Sequence, residues 1–258
     1  NNTDPTNPGS SPRPYVFSSD PFDPDGNKNS NPVVWRPASG NWYIKDFGAS
    51  GKNVVWQFGL PGDIPFTYTP KGGKSEVGVV RRIDNEYQWY FHGAGFENSE
   101  HQRVSVLRFG MFGDNITLGN WESRDFTSPG VARLVNNHWY FYYLKRDGTS
   151  GISIWGGNGD IPKVQDYDGD GIFDVAVYRP SKATTYVIRS TDRRAGIYRF
   201  GTATVDHTVR GDVTGDKIGD IVFWEPRTTN FTVLKSDSKF DTAAALNKLP
   251  SAYFELKL

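Results

Sequence analysis

The 258-residue chain contains no cysteine and a single methionine. Without cysteine there are no disulfides, no thiolate metal sites and no cysteine nucleophile. No apolar run reaches the roughly 18 residues of a candidate membrane-spanning helix. Charge of one sign is also lacking: Lys+Arg and Asp+Glu both number 29, giving a formal net charge of zero. A balanced chain implies no broad basic surface, which argues against nucleic acid as a partner. Strong helix formers such as Ala and Leu are few. Gly (28), Pro (16) and aromatic residues (15%) are plentiful instead. That mixture favours short strands joined by turns.

Residues 1–14, NNTDPTNPGSSPRP, are too polar and proline-rich to build a core. They read as a flexible linker of the kind that follows an export signal or separates modules. Residues 15–258 read as one domain, because a repeat runs through them. The segments VVWRP, VVRRI, VARLV, AVYRP and VFWEP end at 37, 83, 135, 180 and 226, at spacings of 46, 52, 45 and 46 residues. Three further columns share the period. One is aromatic (Trp42, Trp89, Trp139, Tyr186, Phe231). One is a Phe-Gly or Trp-Gly pair ending at Gly59, Gly110, Gly156 and Gly201. One is acidic (Asp63, Asp114, Asp160, Asp206). Each unit reads as four short strands, and DTAAALNKL (241–249) is the only short helical candidate.

A four-stranded unit of about 45 residues has the size of a propeller blade. The expected fold is therefore all-β, a β-propeller of five four-stranded blades. The units fall near 23–68, 69–120, 121–166, 167–212 and 213–258, with residues 15–17 completing the last blade. The alternative is part of a larger propeller. The aromatic column is expected to pack between blades.

The fourth unit opens with DYDGDGIFDVAVYRP. Asp166, Asp168, Asp170 and Asp174 hold the first, third, fifth and ninth positions of a loop, and Gly171 the sixth. Hard oxygen ligands at this spacing suit Ca²⁺, with Ile172 offering a backbone carbonyl at the seventh position. Crowded carboxylates repel one another unless a cation joins them. Val177 stands where an EF-hand has glutamate, and a strand follows, so no helix–loop–helix is implied. The same offset gives two weaker candidates. One is Asp212, Thr214, Asp216 and Asp220, with Lys217 in place of glycine. The other is Asp23, Asp25, Asn27 and Asn31. In the second and third units the pattern is lost.

The combination of this loop with the FG and GDIP motifs resembles the FG-GAP, or VCBS-like, repeats of bacterial secreted and surface proteins. The loop is also similar to the calcium loops in the propeller of integrin α subunits. The resemblance covers about residues 20–240. It implies a propeller, Ca²⁺ held by Asp166, Asp168, Asp170, Ile172 and Asp174, a secreted or cell-surface location, and a role in recognition or adhesion.

Five-bladed propellers also host glycosidases, which need two carboxylates in different environments. Asp63, Asp114, Asp160 and Asp206 recur in equivalent places, as turn formers do. His92, His101, His138 and His207 follow no metal spacing, and no GxSxG or HExxH occurs. The chain thus reads as a non-enzymatic module binding a glycan or protein surface. A purely structural repeat module and a glycosidase are the alternatives. Candidate binding residues are Phe96, in the long hairpin 92–103, and the pairs Trp35/Arg36 and Tyr178/Arg179. These pairs belong to a column that reads Arg36, Arg82 and Arg179, with Arg81 beside it. The plainer role for these arginines is to tie strands together through acids or carbonyls.

Overall fold

A computed structural model describes residues 17–18, 22–24, 33–45, 53–70, 74–93, 104–201, 207–209, 212, 214, 216–225, 230–236, 239–240 and 246–249. The protein is all-β, with one 3₁₀ turn among the described residues, at Pro180–Lys182. Strand β1 (Phe17–Ser18) comes first. A three-stranded sheet follows, made of β2 (Val33–Arg36), β3 (Asn41–Lys45) and β4 (Asn53–Gln57). The next sheet holds β5 (Ile64–Tyr68), β6 (Glu76–Ile83), β7 (Glu86–His92) and β8 (Val104–Met111). The third holds β9 (Asn115–Ile116), β10 (Gly130–Val135), β11 (His138–Leu144) and β12 (Ser150–Gly157). The fourth holds β13 (Ile161–Pro162), β14 (Val175–Arg179), β15 (Thr184–Ile188) and β16 (Ala195–Arg199). The last holds β17 (His207–Val209), β18 (Ile221–Glu225), β19 (Asn230–Leu234) and β20 (Leu246–Leu249).

Each four-strand set runs in sequence order, the meander of a propeller blade. Among the described residues four such blades are present, one fewer than the five expected. The first unit shows three strands among the described residues. Nor does Phe17 complete the last blade. Phe17 and Ser18 pair in parallel with Phe66 and Thr67 of β5, whose outer edge is otherwise open within its sheet. Tyr15 and Val16 lie outside the described residues. The helical candidate at 241–249 ends in strand β20.

Contacts gather the chain into two compact units, residues 1–118 with 125–131 and residues 119–124 with 132–258. Within each, apolar clusters join consecutive sheets. In the first unit Phe22, Trp35, Trp42 and Ile44 pack with Val77 and Val79. In the second, Ala132 and Phe141 pack with Val175 and Val177, and Trp139 and Tyr186 lie against that cluster. Ala176, Tyr178 and Val187 pack with Ile221, Phe223 and Leu234. Alternate residues of each strand serve these clusters, as a pleated strand requires. The indole N–H groups of Trp42 and Trp89 donate to the carbonyls of Phe58 and Phe109, both at 2.8 Å. The phenylalanine and tryptophan columns are therefore bonded to each other.

The Phe-Gly and Gly-Asp columns form one recurring turn. Gly59, Gly110, Gly156 and Gly201 all have φ between +83° and +104°. A Cβ added there would lie 2.7–2.9 Å from Val79, Val131, Val177 and Phe223, so glycine is required on two grounds. The aspartate then closes the turn. Asp63, Asp114 and Asp160 accept the N–H of Leu60, Met111 and Gly157 at 2.8, 2.8 and 2.9 Å. Asp206 lies outside the described residues. Each turn delivers the chain into the first strand of the next sheet. Consequently the sheets are one strand out of step with the sequence units: β5 pairs with β6, and β13 with β14.

Candidate metal centre

The aspartate-rich loop is pinched at its neck by a bridge between Gln165 and Asp174 and leads directly into β14. Its four carboxylates turn inward to collect N–H and O–H donors. Asp166 accepts from the N–H groups of Gly169 and Gly171 at 2.6 and 2.7 Å. Asp168 accepts from the Asp170 N–H at 3.3 Å and the Thr191 hydroxyl at 2.6 Å. Asp170 accepts from the Ile172 N–H at 2.7 Å and the Ser190 hydroxyl at 2.8 Å. Asp174 accepts from the Ser190 and Tyr167 N–H groups at 2.6 and 2.8 Å. Gly171 has φ +81°, which lets the loop fold back at its sixth position.

One carboxylate oxygen from each of Asp166, Asp168 and Asp174 lies within 4.8 Å of the other two. Asp174 is fully buried. Burial pushes its carboxyl up to about 7, against the stabilising Ser190 and Tyr167 N–H groups, and the Asp168 charge pushes the same way. Burial also raises Asp166, helped by Asp168 and Asp170 and opposed by the Gly171 and Gly169 N–H groups. The site thus penalises its own negative charge. An all-oxygen, multiply anionic donor set fits a hard divalent cation. A cation at the centre would offset the repulsion. Asp170 stands apart from the close trio, held by Ile172 and Ser190.

The next loop repeats the frame. Lys217, at the glycine position, has φ +71° and donates its N–H to Asp212 at 2.7 Å. Ile218 donates to Asp216 at 2.9 Å. The Ser236 hydroxyl donates to Asp216 at 2.9 Å, and its N–H to Asp220 at 2.7 Å. Thr214 fills the place of Asp168, donating its hydroxyl to Asp212 at 3.2 Å and its N–H to Asp220 at 3.1 Å. Among the described residues, the close carboxylate trio occurs only in the fourth unit. In the first loop, the Asp23 carbonyl accepts the Ser75 N–H and the Asp23 N–H donates to the Ser75 hydroxyl, both at 2.8 Å, whereas Asp25, Asn27 and Asn31 lie outside the described residues.

The two loops are bonded to each other. Gly219 donates its N–H to the Asp166 carbonyl, and Gln165 its side-chain amide to the Asp220 carbonyl at 2.8 Å. The corresponding bond one unit earlier runs from Phe173 N–H to the Asn120 carbonyl. Arg124, from the equivalent loop in which the aspartate pattern is lost, donates to the Asp170 carbonyl. Ser190, Thr191 and Ser236 escaped the reading of the motif because they sit on a turn two strands further on. Their signal is the shared offset: Ser190 and Ser236 each lie 16 residues beyond the last aspartate of their loop.

The candidate binding residues are dispersed or occupied. Trp35 and Tyr178 are 2% and 1% exposed, so their faces are covered by protein and not presented to a ligand. Arg179 makes a two-pronged ion pair with buried Asp160, at 2.7 and 2.8 Å, and lies over the Tyr186 ring. Arg36 is exposed and lies over Tyr43. Phe96 lies outside the described residues. The arginine column itself is Arg36, Arg81, Arg133 and Arg179, each over a tyrosine of the next strand. Arg81, not Arg82, therefore holds the equivalent place and pairs with Asp63 at 2.8 Å. Arg82 lies over Phe112.

No protein-family model matches the chain, and no curated protein matches it.

Proposed function

We propose that the protein is a calcium-stabilised, non-enzymatic recognition module of the secreted or cell-surface kind, binding a glycan or protein surface. The observation that carries this reading is the Asp166/Asp168/Asp174 trio, set in a hydrogen-bonded frame that the next unit repeats. The same frame before equivalent strands supports a structural role for the loop, and its oxygen donors are of the kind that hold Ca²⁺. Of the acids that could have served a glycosidase, Asp63, Asp114 and Asp160 have matching turn-closing duties instead. Asp63 and Asp160 each bind a turn N–H and an arginine, so neither has the distinct environment of a general acid.

Calcium would be held by Asp166, Asp168 and Asp174, with Asp170 and the Ile172 carbonyl completing the set that the motif suggests. Thermal melts with Ca²⁺ and with chelator test the calcium part, and equal melting temperatures would refute it. A glycan array read beside a hydrolysis assay tests the recognition part. Binding without turnover is expected, and turnover abolished by changing one turn aspartate would favour a glycosidase.

A further inference from the structure

We propose that β12 is a docking edge for a second copy of this chain, the two β12 strands pairing antiparallel about a two-fold axis at Ser153. The argument comes from comparing the last strand of four successive sheets. Val55, Val106, Ile152 and Ile197 occupy one equivalent site, opposite Tyr43, Tyr90, Tyr142 and Tyr186. All four aliphatic side chains are more than half exposed. Two residues further along, the strands diverge. β4 has Gln57 opposite Asn41, β8 has Arg108 opposite Gln88, and β16 has Arg199 opposite Thr184. β12 alone has an apolar pair there, Ile154 opposite Tyr140.

An edge strand invites pairing with another chain, and charged side chains on the edge are the usual guard. Arg108 and Arg199 fill that role on β8 and β16, and both are exposed. In β12 the guard is replaced by Ile154, itself 54% exposed. The strand, SGISIWGG, is eight residues long and has no charge and no proline. It ends its sheet, in the order β12-β11-β10-β9, and no described strand pairs with its outer side. On the same face Tyr140 and Tyr142 stand near-parallel, 6.2 Å apart.

Charge selects the occupant. Two-fold pairing of β8 or β16 would bring arginines close together, and like charges across a strand pair destabilise it. Two-fold pairing of β12 centred on Ser153 instead sets Ile152 of one copy opposite Ile154 of the other. The apolar row Tyr142–Ile152 then runs on through Ile154 and Tyr140 of the second copy. A symmetric contact uses the same patch twice, so each favourable pair counts twice. One strand per copy buries less than the roughly 1,200 Å² of a stable interface, so the dimer is weak, with a dissociation constant above about 1 μM. The inference does not rest on the calcium reading. A dimer would double the recognition sites that one particle presents.

The test is sedimentation velocity of the whole chain from about 1 μM to about 1 mM. The wild type is expected to shift from monomer to dimer across that range. Ile154→Arg, which installs the residue that β8 and β16 carry, is expected to stay monomeric with an unchanged melting temperature. If the arginine variant melts early, Ile154→Thr keeps β-branching, and it should raise the dissociation constant about tenfold. The converse change, Arg108→Ile, unguards β8 and should produce species beyond the dimer. A wild type that stays monomeric throughout overturns the proposal. So does a folded Ile154 variant that dimerises like the wild type.

Discussion

Replacing Asp160 with alanine tests whether the Gly-Asp column is structural. Its carboxylate is 1% exposed at the side chain and performs two tasks. It accepts the Gly157 N–H at 2.9 Å, closing the turn before β13. It also takes both prongs of Arg179, whose side chain is 33% exposed. Alanine leaves the Gly157 donor without its acceptor and the guanidinium without its acid. Breaking a buried pair costs about 3–5 kcal/mol, and an exposed pair is worth at most about 1 kcal/mol. With one partner buried and the other one-third exposed, the expected loss is about 2–4 kcal/mol by urea denaturation. Arg179→Ala should cost a comparable amount, because it leaves the buried Asp160 carboxylate with its turn N–H but without its counter-charge. The double mutant should fall short of the sum by about 1 kcal/mol or more, the signature of direct coupling. The pH dependence has a defined sign. Burial alone would raise the Asp160 carboxyl, but Arg179 and the Gly157 N–H hold it below the usual aspartate value. Its stabilisation is therefore present above the unfolded value and is lost as pH falls through the folded one. A loss below about 0.5 kcal/mol for Asp160→Ala, typical of a neutral surface change, would refute the structural assignment.

Calcium-free protein should become more stable as pH falls from 7 towards 4, because Asp174 titrates near 7 when folded and near 3.8 when unfolded. Asp174→Asn should flatten that part of the melting-temperature profile, and an unchanged slope would contradict the raised value. Gly156→Ala meets both a φ of +83° and Val177 at 2.8 Å, whereas Gly159→Ala meets the same φ with open space around it. The first should cost about 2–4 kcal/mol and the second about 1 kcal/mol in urea melts, and equal losses would reject the steric argument.

Much of the fold was readable because the repeat samples each structural demand several times. The Phe-Gly and Gly-Asp columns stand out since one turn needs a left-handed glycine, seen at four places, and an N–H acceptor, seen at Asp63, Asp114 and Asp160. The aspartate spacing is likewise local, so the loop and its inward carboxylates followed from the motif. What stayed hidden is the pairing of strands across unit boundaries. A repeat fixes the period but not its starting point, so β5 and β13 were grouped with the preceding strands. The arginine column was misread by one place at Arg82, because the anchor segments were aligned on their ends while β6 runs on to Ile83. Trp35 and Tyr178 read as presented aromatics because sequence does not say which face of a strand meets the neighbouring sheet. Their burial in the clusters around Ile44 and Phe223 decides the matter. Ser190 and Ser236 were missed for a related reason: they approach the aspartates through a turn two strands away.

The most direct test of the central claim is calorimetric titration of the chelator-treated protein with Ca²⁺, for the wild type and for Asp168→Ala. The account predicts saturable binding by the wild type. It also predicts a melting-temperature rise that corresponds to about 2.7 kcal/mol when free Ca²⁺ is 100 times the dissociation constant. Asp168→Ala removes one member of the trio and leaves Asp166 and Asp174 in place, so affinity should fall steeply while the calcium-free protein remains folded. Binding should also weaken below pH 7 as Asp174 takes up its proton. No binding heat and no change in melting temperature with millimolar Ca²⁺ would contradict the account, as would wild-type affinity in Asp168→Ala.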